Sequence, residues 1–409
     1  MPQPLIHITR RNAMLFAVFL VLYEFLTYIA NDMIMPGMIQ VVALFHGAES
    51  DIANSLTIYM LGGASLQLVL GPVSDRFGRR PVMLLGAVLF FLCTIMIGCS
   101  NSMGQFMAGR FFQGMGLCFI GVVGYATLQE IFAEMDAVRL IAIMASVGVM
   151  APLLGPLLGS ICLYYFSWRG IYLIIGCFAL VALWGLWAFM PETVGVMQRD
   201  GKTIPRMSLM PRVIVRNYKT LLLNKSFMLG SFAIGFELLP CLVWIALSPI
   251  ILIKMAHLSY IEYGLWQVPI FGTCILGNIV LRHMTHRRTL KQLVVIGSFV
   301  LIVGLIIMFV LPLLFGGYYL WLMPGIFIYF FGSGFIGAPI NRMVLYSTSM
   351  TKGTASAVMS MTGMCLQAVG VALVNVFYVS HSNLILSLYC LLMGILYVVS
   401  IGLYFLWER

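Results

Sequence analysis

Twelve runs of about 20 mostly apolar residues leave this chain few folds to adopt. They cover roughly 13–38, 52–73, 82–100, 103–130, 139–163, 168–190, 226–253, 260–282, 290–314, 318–346, 353–379 and 384–406. A run of that length crosses a bilayer as one helix, whereas the strands of a membrane barrel would alternate polar and apolar residues. A helix also satisfies its own backbone N–H and C=O groups where no water can. Of the 409 residues, 62% are hydrophobic and 9% charged, against about 25% charged in a soluble domain. The expected fold is therefore all-α and integral to the membrane.

The basic residues test that count. With the N-terminus inside, twenty of the 23 Lys and Arg residues fall on the inner side, Arg169 and Lys254 fall outside, and Arg110 falls within a helix. Such a bias is the positive-inside rule, and it predicts both termini in the cytoplasm. The net charge of +10 is then a property of inner loops and does not point to nucleic acid. Arg10 and Arg11 precede the first run, which is too long and too acidic for a cleaved leader and lacks a small-residue cleavage site.

Several chemistries find no support. The nine cysteines all fall in apolar segments without a CxxC, and the six histidines are scattered, so neither a disulfide framework nor a metal site is expected. No phosphate-binding G-x-x-x-x-G-K-[ST] occurs, which argues against ATP as energy source. No nucleophile–base arrangement suggests an enzyme.

The longest polar stretch carries Arg199, Lys202, Arg206, Arg212, Arg216, Lys219 and Lys225, with Pro205 and Pro211. It divides the chain into a first six-helix half (1–190), a linker (191–225) and a second six-helix half (226–409). The linker is expected to carry an amphipathic surface helix near 209–223, held by anionic lipid. Each half has a basic loop between its second and third runs, at 75–81 and 282–288. Repeated halves are typical of secondary transporters, which bind substrate between the repeats near the bilayer midplane.

Charges inside apolar runs are costly and usually functional. The first run holds Glu24 and Asp32, roughly 17 and 28 Å along a helix that rises about 1.5 Å per residue. Arg110 enters the fourth run from the opposite side, so it comes to a depth similar to that of Asp32. Asp32 is read as a site that gains and loses a proton, with Arg110 as its charged neighbour; the alternative is a static ion pair pinning two helices. Eight residues amount to about 80° around a helix, so Glu24 is expected to face the same cavity. There it would attract cations or carry a second proton, unless it is a structural carboxyl bonded to a neighbouring helix. Glu237 lies at the depth of Glu24 but in the second half, and is expected to face the cavity and add negative potential for cationic substrates.

Three segments carry a family resemblance. Gly71-Pro72-Val73-Ser74-Asp75-Arg76-Phe77-Gly78-Arg79-Arg80-Pro81 resembles the major facilitator superfamily signature G-x-x-[SA]-D-R-x-G-R-[RK], in its usual place between the second and third helices. Arg110-Phe111-Phe112-Gln113-Gly114-Met115-Gly116 is similar to that family's fourth-helix R-x-x-Q-G-x-G. Ala151-Pro152-Leu153-Leu154-Gly155-Pro156-Leu157-Leu158-Gly159 resembles its fifth-helix antiporter signature ending G-P-x-x-G. Around Glu24, Asn31–Asp32, Pro36 and Gln267–Gly272 the chain resembles the MdfA-type multidrug/proton antiporters. Glu237 departs from that pattern.

The resemblance implies a proton-coupled exporter of lipophilic, often cationic compounds in the bacterial inner membrane. It would act as a monomer in contact with membrane lipid, with protons as the coupling ion and no other cofactor. Asp32, Glu24 and Arg110 would form the proton site. Tyr28, Asn31, Gln113, Tyr125, Glu237, Trp244, Tyr263, Gln267 and Phe271 would join Glu24 and Asp32 around substrate. Aromatic faces suit hydrophobic cations, and 29 methionines suit a cavity that re-packs. Gly71, Asp75, Arg76, Gly78, Arg79 and Arg80 would form a gating loop in which Asp75 accepts backbone N–H groups at a helix start or pairs with arginines. Pro152, Gly155, Pro156 and Gly159 would make a tightly packed antiporter helix. Export of an endogenous metabolite or siderophore, proton-coupled import, and a non-transporting membrane receptor remain the alternatives.

Overall fold

A computed structural model describes residues 4–199, 201, 203–204, 211–285, 287–348, 350, 352–378 and 382–407. Lys202, Arg206, His286 and Arg409 lie outside the described residues, as do the side chains of Arg139 and Arg212.

The helices run, in order, α1 (Arg10–Asp32), α2 (Met38–Leu44), α3 (Asp51–Ser65), α4 (Gln67–Phe77), α5 (Arg79–Gly98), α6 (Met103–Gly114), α7 (Gly116–Cys118), α8 (Tyr125–Ile131), α9 (Glu134–Tyr165), α10 (Trp168–Phe189), α11 (Pro211–Leu223), α12 (Lys225–Pro249), α13 (Tyr260–Met284), α14 (Leu290–Phe315), α15 (Met323–Tyr346), α16 (Lys352–Phe377) and α17 (Asn383–Trp407). Eleven of these helices or continuous stacks are long and apolar enough to span a membrane, and α3 with α4 makes a twelfth span bent by 41° after Ser65. All twelve sequence runs thus correspond to spans. Among the described residues two wider π turns occur, at Phe119–Gly124 between α7 and α8, and at Ile250–Met255 after α12; such turns often sit at functional places.

Local signals explain many of the ends. Ser102 and Asn224 cap α6 and α12 through their side chains, and Ser259 with Glu262 and Thr289 with Gln292 form reciprocal capping boxes on α13 and α14. Gly78 adopts φ +109° between α4 and α5, a left-handed value that glycine accepts without penalty.

The first six spans pack on one another and the last six do likewise. The halves meet along α9 against α13 and α3 against α16. The expected linker helix is α11, and its Tyr218 hydroxyl donates to the Leu68 carbonyl at 2.7 Å, tying it to the first half.

The ends of the bundle differ. At the end away from the start of α1, Lys254 pairs with Glu49, and Asn375 Nδ2 donates to the Ser50 carbonyl at 2.8 Å and to Asn54 Oδ1 at 3.2 Å. There too, Gln40 Nε2 donates to the Tyr260 hydroxyl at 3.3 Å. Each of these contacts joins one half to the other, so this far end is closed. Glu49 is thus one of the closing contacts.

Candidate functional site

Between the halves lies a cavity of about 460 Å³. From the first half it is lined by Tyr28, Asn31 and Asp32 of α1, Tyr59 and Met60 of α3, and Gly148 and Pro152 of α9. From the second half come mostly apolar side chains, including Ile234, Leu238, Leu242, Ile245, Phe271, Phe330 and Met359, with Ser333 and Gln367 among them. Its wall continues to Asn341, an exposed residue near the end of α15, on the side where α1 begins. Four of the expected substrate residues, Tyr28, Asn31, Asp32 and Phe271, therefore stand on the wall.

Arg110 is fully buried on α6. Its Nε donates to Ser55 Oγ at 3.2 Å; Nη1 donates to the Ala30 carbonyl at 3.2 Å and to Gln113 Oε1 at 3.0 Å; Nη2 donates to Asn31 Oδ1 at 2.6 Å. The guanidinium also lies 4.4 Å from the centre of the Tyr59 ring, and the Tyr59 hydroxyl donates to the Thr27 carbonyl. No ion pair joins Arg110 to Asp32. Asn31 stands between them, its Nδ2 donating to Asp32 Oδ1 at 3.1 Å. The expected charge pair is thus a relay through an amide. Asn31 immediately precedes Asp32 on α1, about 100° away around the helix, so one side chain can reach Arg110 while the other meets the cavity.

Gln113 belongs to this cage and not to the cavity wall, because its Oε1 is taken by Arg110 and its Nε2 donates to Thr94 at 2.9 Å. Ser55 and Tyr59 were missed as members of the cage. A hydroxyl and a phenol within the second apolar run were the available signal.

α9 packs on the carboxylate end of α1. A Cβ on Gly155 would stand 2.6 Å from the Asp32 Cβ, and one on Gly159 would stand 2.0 Å from the Met33 carbonyl oxygen. Pro152 and Pro156 both lie inside the unbroken helix. The antiporter segment is thus the surface on which Asp32 is seated, and Pro152 reaches the cavity itself.

Other expectations need correction. Glu24, 1% exposed, does not line the cavity; its Oε1 accepts the Tyr125 hydroxyl at 2.6 Å and its Oε2 is buried without a partner. The turn between Glu24 and Asp32 carries Glu24 toward α8, so Tyr125 also leaves the wall. Trp244 Nε1 donates to Gln267 Oε1 at 3.0 Å, and Tyr263 bonds Ser248 at 3.3 Å. These three expected pocket residues hold α12 to α13 instead. Glu237, 2% exposed, lies behind the wall beside Ser333 rather than on it.

The loop at 75–80 is tied to the first half and to the start of the linker. Arg79 Nη2 lies 2.6 Å from Asp75 and 2.9 Å from Glu130. Glu192, which sequence reasoning passed over, accepts the backbone N–H groups of Arg79 at 2.9 Å and Arg80 at 3.2 Å, so it caps α5 in the role expected of Asp75. Arg80 Nη2 donates to the Trp187 carbonyl at 2.8 Å, and Arg76 lies 5.7 Å from the Phe77 ring. Gly71 sits within α4, with Val122 3.7 Å from where its Cβ would be. Glu130 also accepts from the Thr193 hydroxyl. Glu192 sits just past the sixth run in Pro191-Glu192-Thr193, where only a three-dimensional contact reveals its role.

Known proteins agree with this architecture. The model of the Major Facilitator Superfamily matches residues 20–374. The multidrug transporter MdfA of Edwardsiella piscicida is 42% identical over 393 residues, covering 96% of this chain and 94% of the relative. The multidrug transporter MdfA of Escherichia coli O157:H7 is 42% identical over 399 residues, covering 98% and 95%. Among solved structures, a partially occluded inward-open form of the Escherichia coli xylose transporter XylE superposes with a TM-score of 0.73 at 15% identity, over 95% of this chain and 97% of that one. An inward-facing bacterial homologue of the human lysosomal transporter Spinster gives 0.69 at 14% identity, over 98% of each chain. With a family match across most of its length, an arginine cage beside a cavity between two six-helix halves, and relatives of nearly equal length, this chain belongs to the Major Facilitator Superfamily.

Proposed function

We propose that this chain is a multidrug efflux antiporter that exports lipophilic, often cationic compounds in exchange for protons. The halves 1–190 and 226–409, joined by the linker 191–225, would move about the cavity in the bacterial inner membrane, with both termini in the cytoplasm and one chain as the working unit. One observation carries the reading. Asp32 is the carboxyl on the cavity wall, and it is joined through Asn31 to the buried Arg110.

The geometry supports exchange at one site. With Asp32 ionised, Arg110 has a counter-charge one amide away, and the cavity offers a carboxylate to a cation. With Asp32 protonated, that attraction is gone and the cation is released. Because the two ligands compete for one charge, binding of either shifts the population of states that the other prefers. The surrounding wall of leucine, isoleucine, phenylalanine and methionine fits hydrophobic bodies of varied shape.

The test is flux in proteoliposomes with an imposed proton gradient, using tetraphenylphosphonium. Gradient-driven uphill movement that Asp32→Asn abolishes is expected. Equal flux with and without the gradient would overturn proton coupling, and movement only in the same direction as the proton would make the protein an importer.

A further inference from the structure

In a regular helix the carbonyl of residue i bonds the N–H of residue i+4. On α12 that step is shared at Glu237. The Tyr329 hydroxyl, reaching across from α15, donates to the Glu237 carbonyl at 2.8 Å and accepts from the Cys241 N–H at 3.0 Å. Pro240 lies within the same turn and has no N–H to give the carbonyl of Phe236. A side chain inserted into the ladder and a proline are both recognised causes of helix bending. Here the ladder of α12 passes through a side chain of another helix.

The Glu237 side chain occupies the same spot. Its Oε1 is buried without a hydrogen-bond partner. Ser333 lies beside the carboxyl, and Ser333, Cys241 and Cys274 all line the cavity. Glu237 is thus one side chain away from the cavity. The titratable groups that face it are Tyr329 from α15, Cys274 from α13, Tyr397 from α17 and Cys241 on its own helix. Among the described residues no lysine, arginine or histidine gives it a hydrogen bond or ion pair. An uncompensated charge in such a place costs several kcal/mol, so an ionised Glu237 requires a cation or water beside it. Asp32 differs, because it already has Arg110 behind Asn31.

We propose that Glu237 is a second proton-exchanging carboxyl, set in the half opposite Asp32 and used when the substrate carries two positive charges. In the cavity without substrate Glu237 holds its proton. A dication that satisfies Asp32 with one charge places the other against Ser333, Cys241 and Cys274; the Glu237 O–H then gives its proton to water and the carboxylate faces the cation. When the dication leaves, a proton from the far side restores the acid. Glu237 is thus neutral as the acid and, as the carboxylate, compensated by the cation. The inference rests on the proton-coupled exporter reading and adds a site to it.

The experiment measures protons released on binding, with the full-length protein in detergent and weakly buffered solution containing a pH indicator. Tetraphenylphosphonium is the monocation and dequalinium the dication. Wild-type protein is expected to release more protons per dequalinium bound than per tetraphenylphosphonium bound, and Glu237→Gln is expected to lose that surplus. Identical release from wild type and Glu237→Gln overturns this assignment alone. No release from wild type with either compound overturns it together with proton coupling. A second measurement needs no variant: dicyclohexylcarbodiimide adds to protonated carboxyls, and mass spectrometry of wild-type protein should find Glu237 modified and protected by dequalinium. An unmodified Glu237, or one modified equally with dequalinium present, also overturns the proposal.

Discussion

Arg110 and Asp32 are joined through Asn31, which accepts from the guanidinium at 2.6 Å and donates to the carboxylate at 3.1 Å. Asn31→Leu keeps the branched outline at a somewhat larger volume and removes both bonds. A hydrogen bond to a charged group contributes about 1.5–3 kcal/mol, and a buried arginine nitrogen is left without an acceptor. Proton-driven efflux in inverted vesicles should fall by about tenfold or more, with binding of substrate in the absence of a gradient reduced less. Unchanged efflux would show that the amide relay is not part of coupling.

Gly155 seats Asp32 by having no side chain. A Cβ there would stand 2.6 Å from the Asp32 Cβ and 3.1 Å from the Met33 nitrogen, too close for α9 and α1 to stay in contact. Gly155→Val should lower stability by about 1–3 kcal/mol and abolish efflux, as read from thermal melting in detergent and transport in vesicles. Gly121, whose added Cβ would meet nothing within 4 Å, is the packing control. Gly121→Ala should change stability by less than about 1 kcal/mol.

Glu192 holds the start of α5 through the N–H groups of Arg79 and Arg80, and at the same time accepts from Thr193 and Val194 at 2.9 and 3.0 Å. Gly78 leaves room for it, since a Cβ there would lie 2.3 Å from Glu192 Oε2. Glu192→Ala should cost about 0.5–2 kcal/mol, as for other lost helix caps. Gly78→Ala should also destabilise. Because both changes break one contact, the double variant should lose less than the sum, and a double-mutant cycle by chemical denaturation reads the difference.

The pair Lys254–Glu49 closes the far end and is partly exposed. Exposed pairs contribute about 0.2–1 kcal/mol, so Lys254→Ala should shift the balance toward a form open at the far end by at most about fivefold. Spin labels across that end, compared by pulsed electron resonance distances, check the shift. A larger shift would mean that the pair, rather than the packing of α9 on α13 and α3 on α16, is the main lock.

The fold was legible because a span writes itself in twenty consecutive residues, and the bent pair α3–α4 still reads as one run. The positions of Asp32 and Arg110 were legible as depth alone. Rotation was not. Glu24 and Glu237 were read at one depth, yet the cavity takes only one sector of each helix and passes by both of them, as it does Tyr125, Trp244, Tyr263 and Gln267. The sequence holds no signal for which sector, since an entirely apolar helix has little amphipathic bias to orient it. Partners such as Glu192 and Tyr329 depend on contacts across 113 and 88 residues, which no local pattern encodes.

The two walls of the cavity differ in kind. The ionisable residue and its relay come from α1 and α6, while the second half supplies mostly interchangeable hydrocarbon from α12, α13, α15 and α16. On the proposed exporter reading, these parts would change separately: exchanging one leucine, isoleucine or methionine for another on the second wall would alter which molecules fit and leave Asp32 and its relay in place. Each such step would pass through a protein that still couples, because no hydrocarbon on that wall belongs to the relay.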